Sequence, residues 1–154
     1  MRYFIYLLGG LIASTALAAP KPKSNTWQLA THAPFADFVI YNDNGQRLTL
    51  TCNQSAPISN EHRLALSNGD TLTDLMGNDG VYQLHLNNQI LTIPHSSQNH
   101  KDAIAWEEIT TQLSYAPDIS VWRNNEPLAN FRPTPKSRQK IASKIILCEP
   151  LLFG

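Results

Sequence analysis

The chain has 154 residues, and its 12 Lys and Arg balance its 12 Asp and Glu, so its formal net charge is zero. This length suits a single domain with a modest core. A neutral chain lacks the strong positive field that nucleic-acid-binding domains use. Only 16% of the residues are charged, and the polar uncharged residues that take their place favour strands and turns over long helices.

The N-terminus has the pattern of an export signal. Arg2 precedes a continuous apolar run over residues 4–12, and Ala16-Leu17-Ala18 has the small-x-small form of a signal-peptidase site. The alternative, an uncleaved anchor, would need about 20 apolar residues. We therefore expect a signal peptide at 1–18 and export to the periplasm, or secretion beyond it, with no further membrane span.

After the signal, the sequence predicts a flexible segment over 19–26 and one domain over 27–154. Three hairpins are expected in the first half of this domain, because strand-like runs flank residue pairs that readily adopt left-handed backbone. Their turns are predicted at Asn44-Gly45, Asn68-Gly69 and Asn87-Asn88. In the first hairpin, the period of two places Leu48, Leu50 and Cys52 on one buried face.

The apolar period changes after Pro94. Trp106, Ile109 and Leu113 recur at three- and four-residue spacing, which predicts a helix from 102 to about 115, and Pro117 ends it. Two short strands are expected next, at 119–122 and 128–131.

A second helix is predicted near the C-terminus. Thr134 can cap it with Pro135 at its first position. Ile141, Ile145 and Cys148 follow at i, i+4 and i+7, so Cys148 is expected on the buried stripe of this helix.

Cys52 and Cys148 are the only cysteines. Two inward-facing cysteines in an exported chain predict a disulfide. A redox-active cysteine is the alternative, but reactive thiols are usually exposed beside a base, and there is no Cys-x-x-Cys. We therefore predict an α+β fold: an antiparallel sheet or sandwich of six to eight strands with two helices, and a disulfide tying the sheet to the C-terminal helix.

Catalytic and metal-binding patterns are weak. The five histidines have no tight ligand spacing, and all are expected at the surface. Glu107 and Glu108 are adjacent on a helix, where neighbouring side chains diverge by about 100° and cannot flank one substrate bond. The sequence therefore predicts no catalytic residue, no metal site and no cofactor, and it favours a protein that is not an enzyme.

Basic residues near the C-terminus form an ordered stripe. Lys136, Lys140 and Lys144 repeat at i, i+4 and i+8, with Arg138 nearby. A solvated helix face would explain this pattern. The functional alternative is a binding surface for an acidic partner protein or an anionic envelope surface.

The order of elements resembles a known family. A strand ending in Leu48-Thr49-Leu50-Thr51-Cys52, a helix at 106–113, the strands Ile119-Ser120-Val121 and Ala129-Asn130-Phe131, and a final helix closed by Cys148 resemble the small exported proteins of the VasI type. Those proteins accompany type VI secretion loci and are loosely similar to invasion-associated locus B proteins. This chain departs from them in polar inserts at 54–61 and 74–80. The resemblance implies a periplasmic accessory protein without known catalytic residues.

The function we expect is a non-catalytic periplasmic binding or accessory protein that recognises another envelope protein, linked to a secretion system if the resemblance holds. One alternative is an immunity or inhibitor protein that plugs a cell-wall hydrolase with a protruding loop, 74–80 or 94–101. The other is an envelope-polymer hydrolase, which a deep polar cleft with converging acidic or histidine side chains would favour.

Overall fold

The computed structural model describes residues 20–54, 61–146 and 148–150, so the predicted signal peptide at 1–18 lies outside the described residues. Within those ranges the chain forms nine strands and two helices, one strand more than the predicted six to eight. In chain order they are β1 (Gln28–His32), β2 (Phe35–Tyr41), β3 (Arg47–Asn53), β4 (Arg63–Asn68), β5 (Thr71–Asp74), β6 (Tyr82–Leu86), β7 (Gln89–Thr92), α1 (His100–Tyr115), β8 (Ile119–Arg123), β9 (Glu126–Phe131) and α2 (Pro135–Ile145).

The first five strands form an antiparallel sheet in the order β1-β2-β3-β4-β5. The predicted turns are confirmed, with Gly45 at φ 78° and Gly69 at φ 58°, a left-handed backbone that glycine adopts without steric cost. Side chains alternate along β2, and along β3 as far as Cys52, with Phe38, Ile40 and Leu50 buried on the inner face.

The remaining strands form a second antiparallel sheet in the order β7-β6-β8-β9. Its tight turns use asparagine pairs. Asn87 and Asn88 have φ of 50° and 65°, and Asn124 and Asn125 have φ of 47° and 68°. Asparagine tolerates this conformation better than other non-glycine residues, which is why these pairs can close hairpins.

Both helices begin at side-chain caps. Asn99 accepts a hydrogen bond from the Asp102 N–H at 2.9 Å, so α1 starts two residues before the predicted position. Thr134 accepts from the Ser137 N–H at 3.3 Å, as the sequence predicts for α2. Neither helix in the described ranges has the length and apolar character that crossing a bilayer requires.

The inner faces of both sheets and one face of each helix share a single hydrophobic core. Its largest fully buried side chains include Trp106, Tyr82, Phe38 and Phe131. The predicted α+β class is therefore confirmed.

The end of the predicted flexible segment is hydrogen-bonded to this body. The Asn25 N–H donates to the Tyr41 carbonyl at 2.6 Å, and the Asn25 carbonyl accepts from the Thr134 N–H at 3.0 Å. The Asn25 side chain also donates to Asp43 at 3.2 Å. These bonds connect the start of the domain to β2 and to the cap of α2.

The predicted Cys52–Cys148 disulfide is present, with the two Cα atoms 5.4 Å apart. The predicted position of Cys148 on the last helix is wrong, because α2 ends at Ile145. The chain turns there, and the Cys148 N–H donates to the Ile145 carbonyl at 3.0 Å. The indole Nε1 of Trp106 donates to the Cys148 carbonyl at 3.0 Å, so α1 also holds the segment after the helix.

Reducing the disulfide is expected to lower the free energy of unfolding by about 4 kcal/mol, because the bond closes a loop of 96 residues and so constrains the unfolded chain. Urea unfolding of the oxidised and reduced protein measures this difference. The Cys52→Ser/Cys148→Ser double variant should match the reduced protein. Equal urea midpoints for the oxidised and reduced forms would contradict the expectation.

Candidate functional site

A polar groove of about 640 Å³ lies at one end of the five-stranded sheet. We call it the end groove. β1, β3 and β5 finish at this end, while β2 and β4 begin there. The groove is lined by His32, Phe35, Asp37, Thr51, Glu61, His62, Arg63, Asp74, Met76 and His95.

Strand pairing places several of these side chains in one row. Thr51 of β3 lies opposite Asp37 of β2 and opposite Arg63 of β4. Residues directly opposite in antiparallel strands point to the same face of the sheet. Because the neighbouring residue Cys52 points into the core, this row lies on the outer face, where solvent and ligands have access.

Asp37 is the centre of a hydrogen-bonded chain within the groove. Its Oδ2 lies 2.8 Å from Nε2 of His32, whose side chain is 57% exposed. Its Oδ1 accepts a hydrogen bond of 2.6 Å from the hydroxyl of Thr51. The hydroxyl proton is thus directed to a carboxylate and not to an imidazole, which differs from the nucleophile–base pair of a hydrolytic triad.

Three further lining residues, Asp74, Met76 and His95, come from the two polar loops at 74–80 and 94–101. Nδ1 of His95 lies 3.2 Å from the Met76 carbonyl and joins the two loops. The Asp74 carboxylate accepts from the Met76 N–H at 3.0 Å. Leu75 and Met76 are buried, so the first loop packs against the body of the domain. Residues of both loops, which were predicted as candidate plugs of an inhibitor, line the groove.

Glu61 completes this side. Its Oε1 accepts a hydrogen bond of 2.6 Å from the hydroxyl of Ser96. The groove therefore holds three carboxylates, those of Asp37, Glu61 and Asp74, against the single guanidinium of Arg63. With its histidines neutral it carries a net formal charge of −2, which favours cationic ligands.

His62 is the buried member of the lining. It is 1% exposed, so the prediction that all five histidines lie at the surface is wrong for this residue. Its Nδ1 accepts a hydrogen bond of 3.0 Å from the Asn53 N–H, which leaves Nε2 to donate to the Glu149 carbonyl. Its ring stacks on Trp106 with centroids 5.2 Å apart and planes 10° apart. Burial is tolerated because both nitrogens are bonded.

Burial lowers the pKa of the His62 imidazole below its ordinary value of 6.5. The hydrogen bond to the Glu149 carbonyl and the charge of Glu61 act in the opposite direction, but loss of hydration is the larger effect. At neutral pH the folded protein therefore holds this ring in its neutral form.

The residues predicted as a partner-binding stripe lie elsewhere. Lys136, Lys140 and Lys144 are exposed on α2, and in the described part of the chain none of them forms an ion pair. Arg138 is half-buried and donates through Nη1 to the Tyr115 carbonyl at 2.8 Å. It therefore ties α2 to α1, while the three lysines remain free for solvent or a partner.

No groove residue was predicted individually as a site, although Asp74, Met76 and His95 lie within the two loops predicted as candidate inhibitor plugs. Asp37 and Thr51 are sequence neighbours of buried Phe38 and Leu50, so alternation puts them on the outer face. His62 is two residues before buried Leu64, so the period of two puts it on the inner face. The pairing of β2 with β3 and β4 brings them together, and a single strand does not encode that pairing.

Acid is expected to weaken the fold through His62. The unfolded chain takes up a proton near pH 6.5, whereas the folded chain takes it up only at lower pH, so the free energy of unfolding falls as pH drops below 6.5. The slope reaches up to ~1.4 kcal/mol per pH unit and ends at the folded pKa. Urea unfolding at a series of pH values from about 7.5 to about 5 measures it.

The His62→Gln variant keeps an amide for hydrogen bonding but does not titrate, and it should lose this slope. The matched control is His100→Gln, since His100 is an exposed histidine at the start of α1. That variant should retain the wild-type slope. The same slope in wild type and His62→Gln would exclude His62 as the titrating group.

Comparison with known proteins adds no family to this description. The chain matches no protein-family model, no curated protein and no solved structure. The resemblance to VasI-type proteins stays a prediction, and the candidate site rests on its own geometry.

Proposed function

We propose that the chain is an exported, non-catalytic binding protein, and that it recognises a basic segment of another envelope protein in the end groove. The observation that carries this proposal is the set of three groove carboxylates. Asp37, Glu61 and Asp74 each accept a hydrogen bond from the protein itself. These bonds orient the acidic groups before a ligand arrives, which lowers the cost of ordering them on binding.

The groove has the dimensions and chemistry for a side chain or a short segment. Its volume of about 640 Å³ is within the usual range of ligand sites. A lysine or arginine of the partner would meet the net negative lining, while Phe35 and Met76 supply apolar contact for its methylene stem. Such electrostatic complementarity supports specific recognition more than raw affinity.

The hydrogen bonds favour binding over catalysis. The Thr51 hydroxyl is used by Asp37, and Nδ1 of His95 is used by the Met76 carbonyl. In the described ranges, the three groove carboxylates and the imidazoles of His32 and His95 belong to no cluster of three or more ligand atoms within 4.8 Å. These arrangements support a rigid recognition surface.

The compartment is part of the same proposal. A disulfide buried in the core is compatible with an oxidising compartment, and the signal-like segment at 1–18 supports export. An accessory role beside a secretion system follows only if the VasI-type resemblance reflects kinship. We therefore assign the partner by its chemistry, a basic segment exposed on an envelope protein.

A second candidate function is an envelope-polymer hydrolase. It is favoured by the convergence of carboxylates and histidines in one groove, which is the arrangement that acid–base chemistry on a polymer would use. A hydrolase must cleave its polymer, so this candidate is tested by looking for cleavage products. Release of soluble fragments from purified peptidoglycan, abolished in Asp37→Asn, would replace the binding proposal with this one.

The Asp37→Asn/Asp74→Asn double variant tests the binding proposal. Partners captured from envelope extract by the oxidised mature protein are identified and purified, and their affinities for wild type and variant are then measured. Loss of two carboxylates should weaken binding of the partner at least tenfold, because the attraction to its basic segment is lost. Added salt should weaken wild-type binding in the same direction.

The matched control reverses charge on α2, outside the lining of the end groove. The Lys140→Glu/Lys144→Glu variant changes two residues of α2, and it should bind the same partner with wild-type affinity. If this control loses binding and the groove variant does not, the lysine stripe is the recognition surface and the end groove is not.

A further inference from the structure

The disulfide and His62 form a compact group of three potential metal ligands beneath the end groove. One ligand atom from each of Cys52, His62 and Cys148 lies within 4.8 Å of the others. All three residues are buried. Among the described residues, this is the one group of three or more histidine, cysteine or acidic ligand atoms that are this close.

We propose that, once the disulfide is reduced, the chain binds one zinc ion through the thiolates of Cys52 and Cys148 and through Nδ1 of His62. The disulfide and the zinc ion are then alternative states of the same site. This inference does not depend on the proposed function of the groove.

The spacing is close to that of a tetrahedral zinc site. With Zn–S of about 2.3 Å and Zn–N of about 2.0 Å, two thiolates on one ion stand about 3.8 Å apart, and a thiolate and an imidazole nitrogen stand about 3.5 Å apart. One ligand atom of each residue already lies within 4.8 Å of the other two. Reduction frees the sulfurs to separate by side-chain rotation, while the backbone keeps the Cα atoms near their present 5.4 Å.

The ring of His62 is already oriented as in a metal ligand. Zinc-bound histidines almost always donate their second ring N–H to a carboxylate, a backbone carbonyl or water. Here Nε2 faces the Glu149 carbonyl, and stacking on Trp106 fixes the plane of the ring. Nδ1 carries the remaining lone pair of the ring, which could bind a metal ion. Its present donor is the Asn53 N–H, and zinc would replace that hydrogen bond.

The positions of these bonds connect His62 to both cysteines. Asn53 follows Cys52 and Glu149 follows Cys148 in the chain. The imidazole thus bridges the two backbone segments that carry the sulfurs. Reduction of the S–S bond leaves this bridge intact, so it can hold the three ligands together in the reduced protein.

Reduction of the disulfide and binding of zinc balance in electrons and protons. A dithiol or phosphine supplies two electrons to the S–S bond, and two protons complete the thiols. Zinc then displaces both thiol protons as the two Zn–S bonds form, so binding is accompanied by proton release. Three protein ligands leave the fourth tetrahedral position to a water molecule or another small donor.

Zinc titration of the mature protein tests the site. With a phosphine reductant, the reduced wild type should take one equivalent of zinc from a colorimetric chelator, and the oxidised protein should take none. Cobalt in place of zinc should give the intense thiolate charge-transfer bands and the visible bands of a tetrahedral ion. Cys52→Ser should lose both the binding and the spectrum.

His62 is tested separately. His62→Asn should weaken zinc binding at least tenfold, while the matched control His100→Asn should bind like wild type. Because His62→Asn can also disturb folding, the ¹⁵N chemical shifts of the wild-type histidines provide a second measurement. The His62 Nδ1 resonance should move when zinc binds. A reduced protein that binds no zinc, or a bound state in which this resonance does not move, would overturn the proposal.

Discussion

The packing around the disulfide holds four separate parts of the chain in one place. Cys52 near the end of β3 is bonded to Cys148 beyond α2, and Trp106 of α1 donates to the Cys148 carbonyl. His62, the residue before β4, bonds both residues that follow the cysteines and stacks on the same indole. A modest core with two small sheets gains from such a connection, because it joins elements that are distant in sequence and constrains the unfolded chain.

The end groove lies beside this packing, at the same end of the sheet. Thr51 and Cys52 are neighbours in β3, yet alternation sends the first to the outer face and the second to the core. The strand that carries the disulfide therefore also carries part of the groove lining. On the opposite side, Glu61 precedes buried His62 and receives a hydrogen bond from Ser96. The polar groove and the buried sulfurs thus occupy two faces of one sheet end, with His62 contributing to both.

Local signals were sufficient wherever neighbouring residues determine the conformation. Gly45 and Gly69 adopt positive φ because the tight turns require it, and Thr134 begins α2 because its side chain accepts a hydrogen bond from the first turn. Prediction failed where the end of an element depended on distant contacts. The apolar period extended α2 to Cys148, but the disulfide and the Trp106 hydrogen bond hold that residue outside the helix. The prediction for His62 was wrong because it followed from the scattered spacing of the histidines, whereas the period of two puts His62 on the same buried face as Leu64.

The sequence by itself determined the α+β class, the hairpin turns, the two helices and the pairing of the two cysteines. These depend on short-range periodicity, on turn residues and on a cysteine count that allows only one intramolecular pairing. Only the tertiary structure decided which polar residues share a site. Asp37, Arg63 and His95 belong to different strands and loops, and strand pairing and loop packing bring them to one groove. The surroundings of His62 were likewise decided by folding, because it bonds the backbone of Asn53, nine residues away in the sequence, and that of Glu149, 87 residues away.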